Sequence, residues 1–146
     1  MARRRDLRTQ ILRYLGISAV LHPAWETAQV PLYTIWHDGT AGQIAFAVIH
    51  CAAGDMLITA AMLALAIGLA SLARWRLFGP RMALTAIICG LAYTVYSEWF
   101  NVVVRRSWAY TETMPVLPPL GTGLSPLLQW IIVPIISWRF ARARRP

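Results

Sequence analysis

Long apolar stretches alternate along the chain with short polar or proline-rich ones, and their spacing matches the thickness of a bilayer. A hydrocarbon core of ~30 Å needs ~20 mostly apolar helical residues. Four segments meet that need, at about 9–36, 41–72, 82–104 and 124–140. The second holds an apolar run from Met56 to Ala70 and is closed by Arg74, Trp75 and Arg76. The third opens after Gly79 and Pro80 and stops at Arg105 and Arg106. The fourth is short and contains Pro134, where a kink is expected. The first is the least regular: Arg13 lies near its start, and Pro23 and Pro31 predict a broken or partly re-entrant helix. Between the last two segments, residues 105–123 carry Trp108, Tyr110, Pro115, Pro118 and Pro119 and are expected to form an external loop. Its aromatic rings suit the headgroup region. The expected fold class is all-α, an integral membrane four-helix bundle formed as one domain over residues 1–146.

Composition supports this reading against two others. The chain is 58% hydrophobic and only 14% charged, where a soluble domain carries ~25% charged residues. Mean hydropathy is +0.51. Seven tryptophans and the apolar content exclude a disordered chain. The net charge of +8 would ordinarily invite a nucleic-acid partner, but all the basic residues are arginines and their distribution is topological. With a cytoplasmic N-terminus, one side of the membrane receives Arg3, Arg4, Arg5, Arg8, Arg13, Arg74, Arg76, Arg81, Arg139, Arg142, Arg144 and Arg145, and the other only Arg105 and Arg106. That asymmetry predicts four crossings with both termini cytoplasmic, in a bacterial-type inner membrane. It also predicts contact between the arginine collar and anionic lipid headgroups, and no nucleic acid. A cleaved signal peptide fits less well, because Arg13 splits the apolar region of the first segment.

Ionisable groups inside membrane segments are expensive, ~2.5–3.5 kcal/mol on insertion scales, and are functional candidates by default. Here they are His22 and Glu26 in the first segment, His50 and Asp55 in the second, and Glu98 in the third. At ~1.5 Å rise per residue, Glu98 lies ~9 Å, His50 ~13 Å, Glu26 ~15 Å, and His22 and Asp55 ~21 Å from the external ends of their segments. The overlapping depths predict one shared site in the external half of the bilayer. His22 and Glu26 share a helix face at i, i+4, and Thr94, Glu98 and Asn101 form a polar stripe. Asp55 points about 140° from His50 on a regular helix and either faces a different neighbour or marks an irregularity. Asn101 and Gln129 are the expected supporting partners of the site.

Two imidazoles and three carboxylates are the ligand types of an iron, copper, manganese or zinc centre in a helix bundle. The same groups bind and relay protons. The sequence reading is therefore a site for a metal ion or protons built from His22, Glu26, His50, Asp55 and Glu98. Two alternatives stand beside it. One is an enzyme acting on a lipid-soluble substrate, with Glu26, Asp55 and Glu98 as candidate catalytic acids and bases. The other is an accessory subunit or homo-oligomer whose polar residues meet partner helices. Cys51 and Cys89 fall at different depths and are expected as free thiols. No Gly-rich nucleotide loop, Cys-x-x-Cys or His-Glu-x-x-His motif is present. Most tryptophans fall near segment ends, where interfacial anchoring accounts for them, but Trp25, Trp99 and Trp130 lie near the acids.

Overall fold

The computed structural model describes residues 2–142, without the side chains of residues 2–5. Four long helices dominate it. Helix α1 spans Ala2–Gln29, a single 3-10 turn follows at Val30–Leu32, and α2 is one short turn, Ile35–Asp38. Helix α3 spans Ala41–Leu72, α4 spans Pro80–Glu98 and continues as a π-helical segment over Trp99–Val104, and α5 spans Leu124–Arg142. Between the last two lies a small antiparallel hairpin, β1 (Val116–Leu117) and β2 (Thr122–Gly123), pairing Val116 with Gly123 and Leu117 with Thr122.

Local chemistry sets the boundaries. Thr40 and Gln43 form a reciprocal capping box at the start of α3, each side chain bonding the other's backbone N–H. Pro80 opens α4 at a position where its missing N–H costs nothing. Helix α1 ends at Gln29 rather than running on to Trp36, because Pro31 lacks an N–H and disfavours helical geometry at Val30. Pro23, by contrast, is absorbed: α1 is continuous through it, and the Thr27 hydroxyl donates to its carbonyl at 2.8 Å. Helix α5 is likewise continuous through Pro134.

Helices α1 and α4 each pack against both α3 and α5. The start of α1, the end of α3, the turn at 73–79, the start of α4 and the end of α5 meet in an apolar cluster of Tyr14, Leu63, Ala66, Ala70, Phe78, Met82, Ala86 and Ala141. Its alanines let backbones approach closely, the usual means of association between apolar helices. Ser18 donates to Ser137 at 2.9 Å, joining α1 to α5 where both side chains are fully buried. Gly90 on α4 is required for the same reason: a Cβ there would stand 2.4 Å from the Trp130 ring. Arg8, Arg13, Arg74, Arg76, Arg81, Arg139 and Arg142 belong to the elements of this end, Arg105 and Arg106 to the opposite one. Arg144 and Arg145 lie outside the described residues, as do the side chains of Arg3, Arg4 and Arg5.

Among the described residues, three helices are long and apolar enough to cross a membrane: α3, Pro80–Val104 and α5. Large apolar side chains such as Phe46, Ile49, Leu57 and Ile88 stand exposed on them, as expected of surfaces that face lipid. Helix α1 is not among the three. Its polar residues lower its average hydropathy, although Ser18, His22, Glu26 and Gln29 are all buried against the other helices.

Candidate functional site

The site forms where the inward faces of the four long helices turn from apolar to polar. On α1, positions 14, 18, 22, 26 and 29 follow helical periodicity and are all buried. On α3 the inward row includes Ala52, Thr59 and Leu63, with Asp55 on the same side. Met82, Ala86, Gly90, Thr94 and Glu98 form the inward row of α4 at strict four-residue spacing. Helix α5 contributes Gln129, Trp130, Val133 and Ser137.

His22 is fully buried and engaged at both ring nitrogens: Nε2 lies 2.9 Å from Thr59 Oγ1, and Nδ1 lies 3.0 Å from Gln129 Nε2. The same Gln129 nitrogen donates to Asp55 Oδ2 at 2.8 Å. One amide proton thus goes to each partner, so Nδ1 accepts and the ring carries its proton on Nε2, donating to Thr59. Gln29 extends the network, donating to Glu26 Oε1 at 2.8 Å and more weakly to Gln129 Oε1 at 3.4 Å. Ser125 donates to Gln29 Oε1 at 2.8 Å and accepts from Trp25 Nε1 at 3.3 Å. Glu26 and Asp55 are joined through Gln129, whose Nε2 donates to Asp55 and whose Oε1 accepts from the Gln29 amide that also donates to Glu26.

Glu98 is held from the loop side. The Tyr110 hydroxyl donates to Glu98 Oε2 and accepts from the Gly123 backbone N–H at 3.0 Å. Burial, reinforced by the nearby Glu98 carboxyl, pushes the Tyr110 phenol up from its ordinary value. The loop is stitched to the end of α1: Thr34 N–H donates to the Ala109 carbonyl at 3.0 Å, and Thr111 N–H to the Leu32 carbonyl at 2.9 Å. This pairing brings the Tyr33 and Tyr110 rings to 5.4 Å. The Trp108 indole Nε1 is buried beside the Glu98 carboxyl, near it but short of good hydrogen-bond geometry.

Glu26, Asp55 and Glu98 all line one cleft of about 910 Å³. Among the described residues no arginine or lysine lines it. Its walls include Tyr33, Cys51, Tyr93, Trp108, Gln129 and Trp130, and its mouth Gly42, Phe46 and His50.

Two of the expected residues take other positions. His50 does not join the network: it is exposed and stacks on Phe46, ring centroids 5.5 Å apart, because it projects from a different face of α3 than Asp55. Asn101 folds back onto its own helix, donating to the Ser97 carbonyl at 2.9 Å. The π-helical turns that begin at Trp99 move it out of line with Thr94 and Glu98. Among the described residues, no three His, Cys, Asp or Glu side chains are grouped to hold a metal ion. Of the expected set, Gln129 and Thr59 occupy both nitrogens of His22, and His50 stands apart from Glu26, Asp55 and Glu98.

Thr59, Gln29 and Ser125 were not anticipated. Thr59 lies four residues beyond Asp55 and Gln29 three beyond Glu26, so helical spacing could have found both. Tyr110 carried no such signal, because only the folding back of the loop brings it to Glu98. Cys51 and Cys89 are free thiols. No known protein family, curated protein or solved structure matches the chain.

Proposed function

We propose that the chain is a four-helix protein of a bacterial-type inner membrane, both ends cytoplasmic, whose cleft binds and releases protons at Glu26, Asp55 and Glu98. The observation that carries this reading is the pattern of donors around the acids. Gln29 donates to Glu26, Gln129 to Asp55 and Tyr110 to Glu98, and every one of these donors is neutral. A carboxylate inside a bilayer protein is normally offset by a cationic side chain. Here the charge of the group can be offset only by protons or by a guest, so the acids exchange protons as the occupancy of the cleft changes.

Three apolar helices support the membrane assignment. Helix α1 suits a fourth crossing, since it spans the height of the bundle and turns its polar side chains inward. Seven described arginines at one end against two at the other support the orientation.

Infrared titration of carboxyl bands in lipid nanodiscs tests the site. The wild-type protein is expected to show carboxyl groups titrating well apart from exposed acids, and Glu26→Gln, Asp55→Asn and Glu98→Gln each to remove part of that signal. A triple variant whose titration is unchanged from wild type overturns the reading. Accessibility of a single cysteine placed at Thr113 to an impermeant thiol reagent, in a background lacking Cys51 and Cys89, tests the orientation, with labelling expected from the external side.

A further inference from the structure

We propose that the guest of this cleft is a lipophilic organic cation, a protonated amine with an apolar tail and an oxygen acceptor near the nitrogen, admitted from the bilayer between α3 and α4. The inference rests on the proton-exchanging site above and adds its ligand class.

Size comes first. A volume of about 910 Å³ is far beyond what a proton or a bare metal ion fills, and lies in the ~300–1,000 Å³ range of pockets that enclose small organic molecules. Charge then decides the sign. Four carboxyl groups line the space, the exposed Asp38 and the inner Glu26, Asp55 and Glu98, the last three each provided with a neutral hydrogen-bond donor, and no arginine or lysine lines the cleft among the described residues. An anionic guest would meet like charge at the inner acids in a medium of low dielectric, with the His50 imidazole only at the mouth. A cationic one would supply the missing countercharge and displace the protons held there. The rings of Tyr33, Tyr93, Trp108 and Trp130 add aromatic walls, on which an ammonium group binds by cation–π attraction. Trp108 contributes a separate indication. Its buried Nε1–H has the Glu98 carboxyl beside it but falls short of hydrogen-bond geometry, and an oxygen acceptor on the guest would supply a better-placed partner.

The entry route follows from how the helices separate. Helices α3 and α4 meet through Leu63, Ala66 and Ala70 against Met82 and Ala86, at the arginine-rich end. The cleft lies between their other halves, flanked by Phe46 (68% exposed) and Tyr93 (41% exposed). Gly42 and Gly54 line it with open space where a Cβ would stand. An apolar tail therefore fits in the mouth while the amine reaches the acids.

The test uses the full chain in nanodiscs, with empty nanodiscs as reference and tryptophan fluorescence as readout. The probes are N-dodecylethanolamine, its neutral counterpart dodecanol and its anionic counterpart dodecanoate. Saturable quenching by the amine alone, with protons released in weakly buffered solution, is the expected result. Glu98→Gln and Asp55→Asn are expected to weaken amine binding about tenfold each. Gly54→Leu, which fills the cleft without a clash at Cβ, is expected to abolish binding while the helical content and thermal unfolding stay close to wild type. Equal binding of dodecanol or dodecanoate, or no saturable binding of the amine, overturns this inference. If the infrared titration survives either of those results, the proton-binding reading stands without it.

Discussion

His22 Nδ1 and Asp55 Oδ2 stand 3.6 Å apart with no proton between them, because both accept from the same amide nitrogen of Gln129. The pair that would be taken for a buried ion pair is two acceptors held together by a neutral bridge.

Removing the bridge should therefore be costly. Gln129→Leu keeps the volume similar but leaves both acceptors unsatisfied in a buried setting, an expected loss of ~1–3 kcal/mol. Thermal unfolding in a mild detergent reads it. Stability equal to wild type would mean that His22 and Asp55 pair directly once Gln129 is gone.

Close approach of α4 and α5 depends on Gly90, where a Cβ would stand 2.4 Å from Trp130. Gly90→Ala should destabilise by ~1–3 kcal/mol through overpacking. The control is Gly54→Ala, which meets nothing within 4 Å and should leave the melting temperature close to wild type.

Tyr110 ties the external loop to Glu98 and to the Gly123 N–H. Tyr110→Phe removes both bonds and should cost ~1–2 kcal/mol while making residues 105–123 more sensitive to protease. Alkaline pH tests the same contact. Burial raises the phenol above its ordinary value near 10.0, so the folded form keeps a proton that the unfolded form gives up. The contribution is complete below pH ~10 and is lost as pH climbs through the raised folded value. Protease sensitivity of the loop should rise over that range in wild type, and this component should vanish in Tyr110→Phe.

Ser18 and Ser137 join α1 to α5 through one buried hydrogen bond. A double-mutant cycle of Ser18→Ala and Ser137→Ala should return a coupling of ~0.6 kcal/mol, the scale typical between membrane helices. A coupling of zero would assign the contact to close packing of small side chains alone.

Much of this was legible in one dimension. Apolar run length, the capping residues around Thr40 and the proline at position 80 mark the long helices, because these are local effects within a few residues. The acids at 26, 55 and 98 were identifiable because a carboxyl in an apolar run is anomalous wherever the run folds. Facing was only partly readable. Simple 3.6-residue spacing separates Asp55 from His50 correctly but cannot say which of them turns inward. It places Asn101 beside Glu98, where the π-helical turn intervenes. Which neutral side chain answers each acid depended wholly on the packing. Gln129 reaches Asp55 across 74 residues, and Tyr110 reaches Glu98 only because the loop pairs with residues 32–34. The helical, membrane-compatible class and its acids in apolar runs follow from the order of residues, since length and hydropathy act locally. Tertiary structure alone decided that three acids share one cleft with neutral donors, because that arrangement exists only once four helices have set one another's rotation.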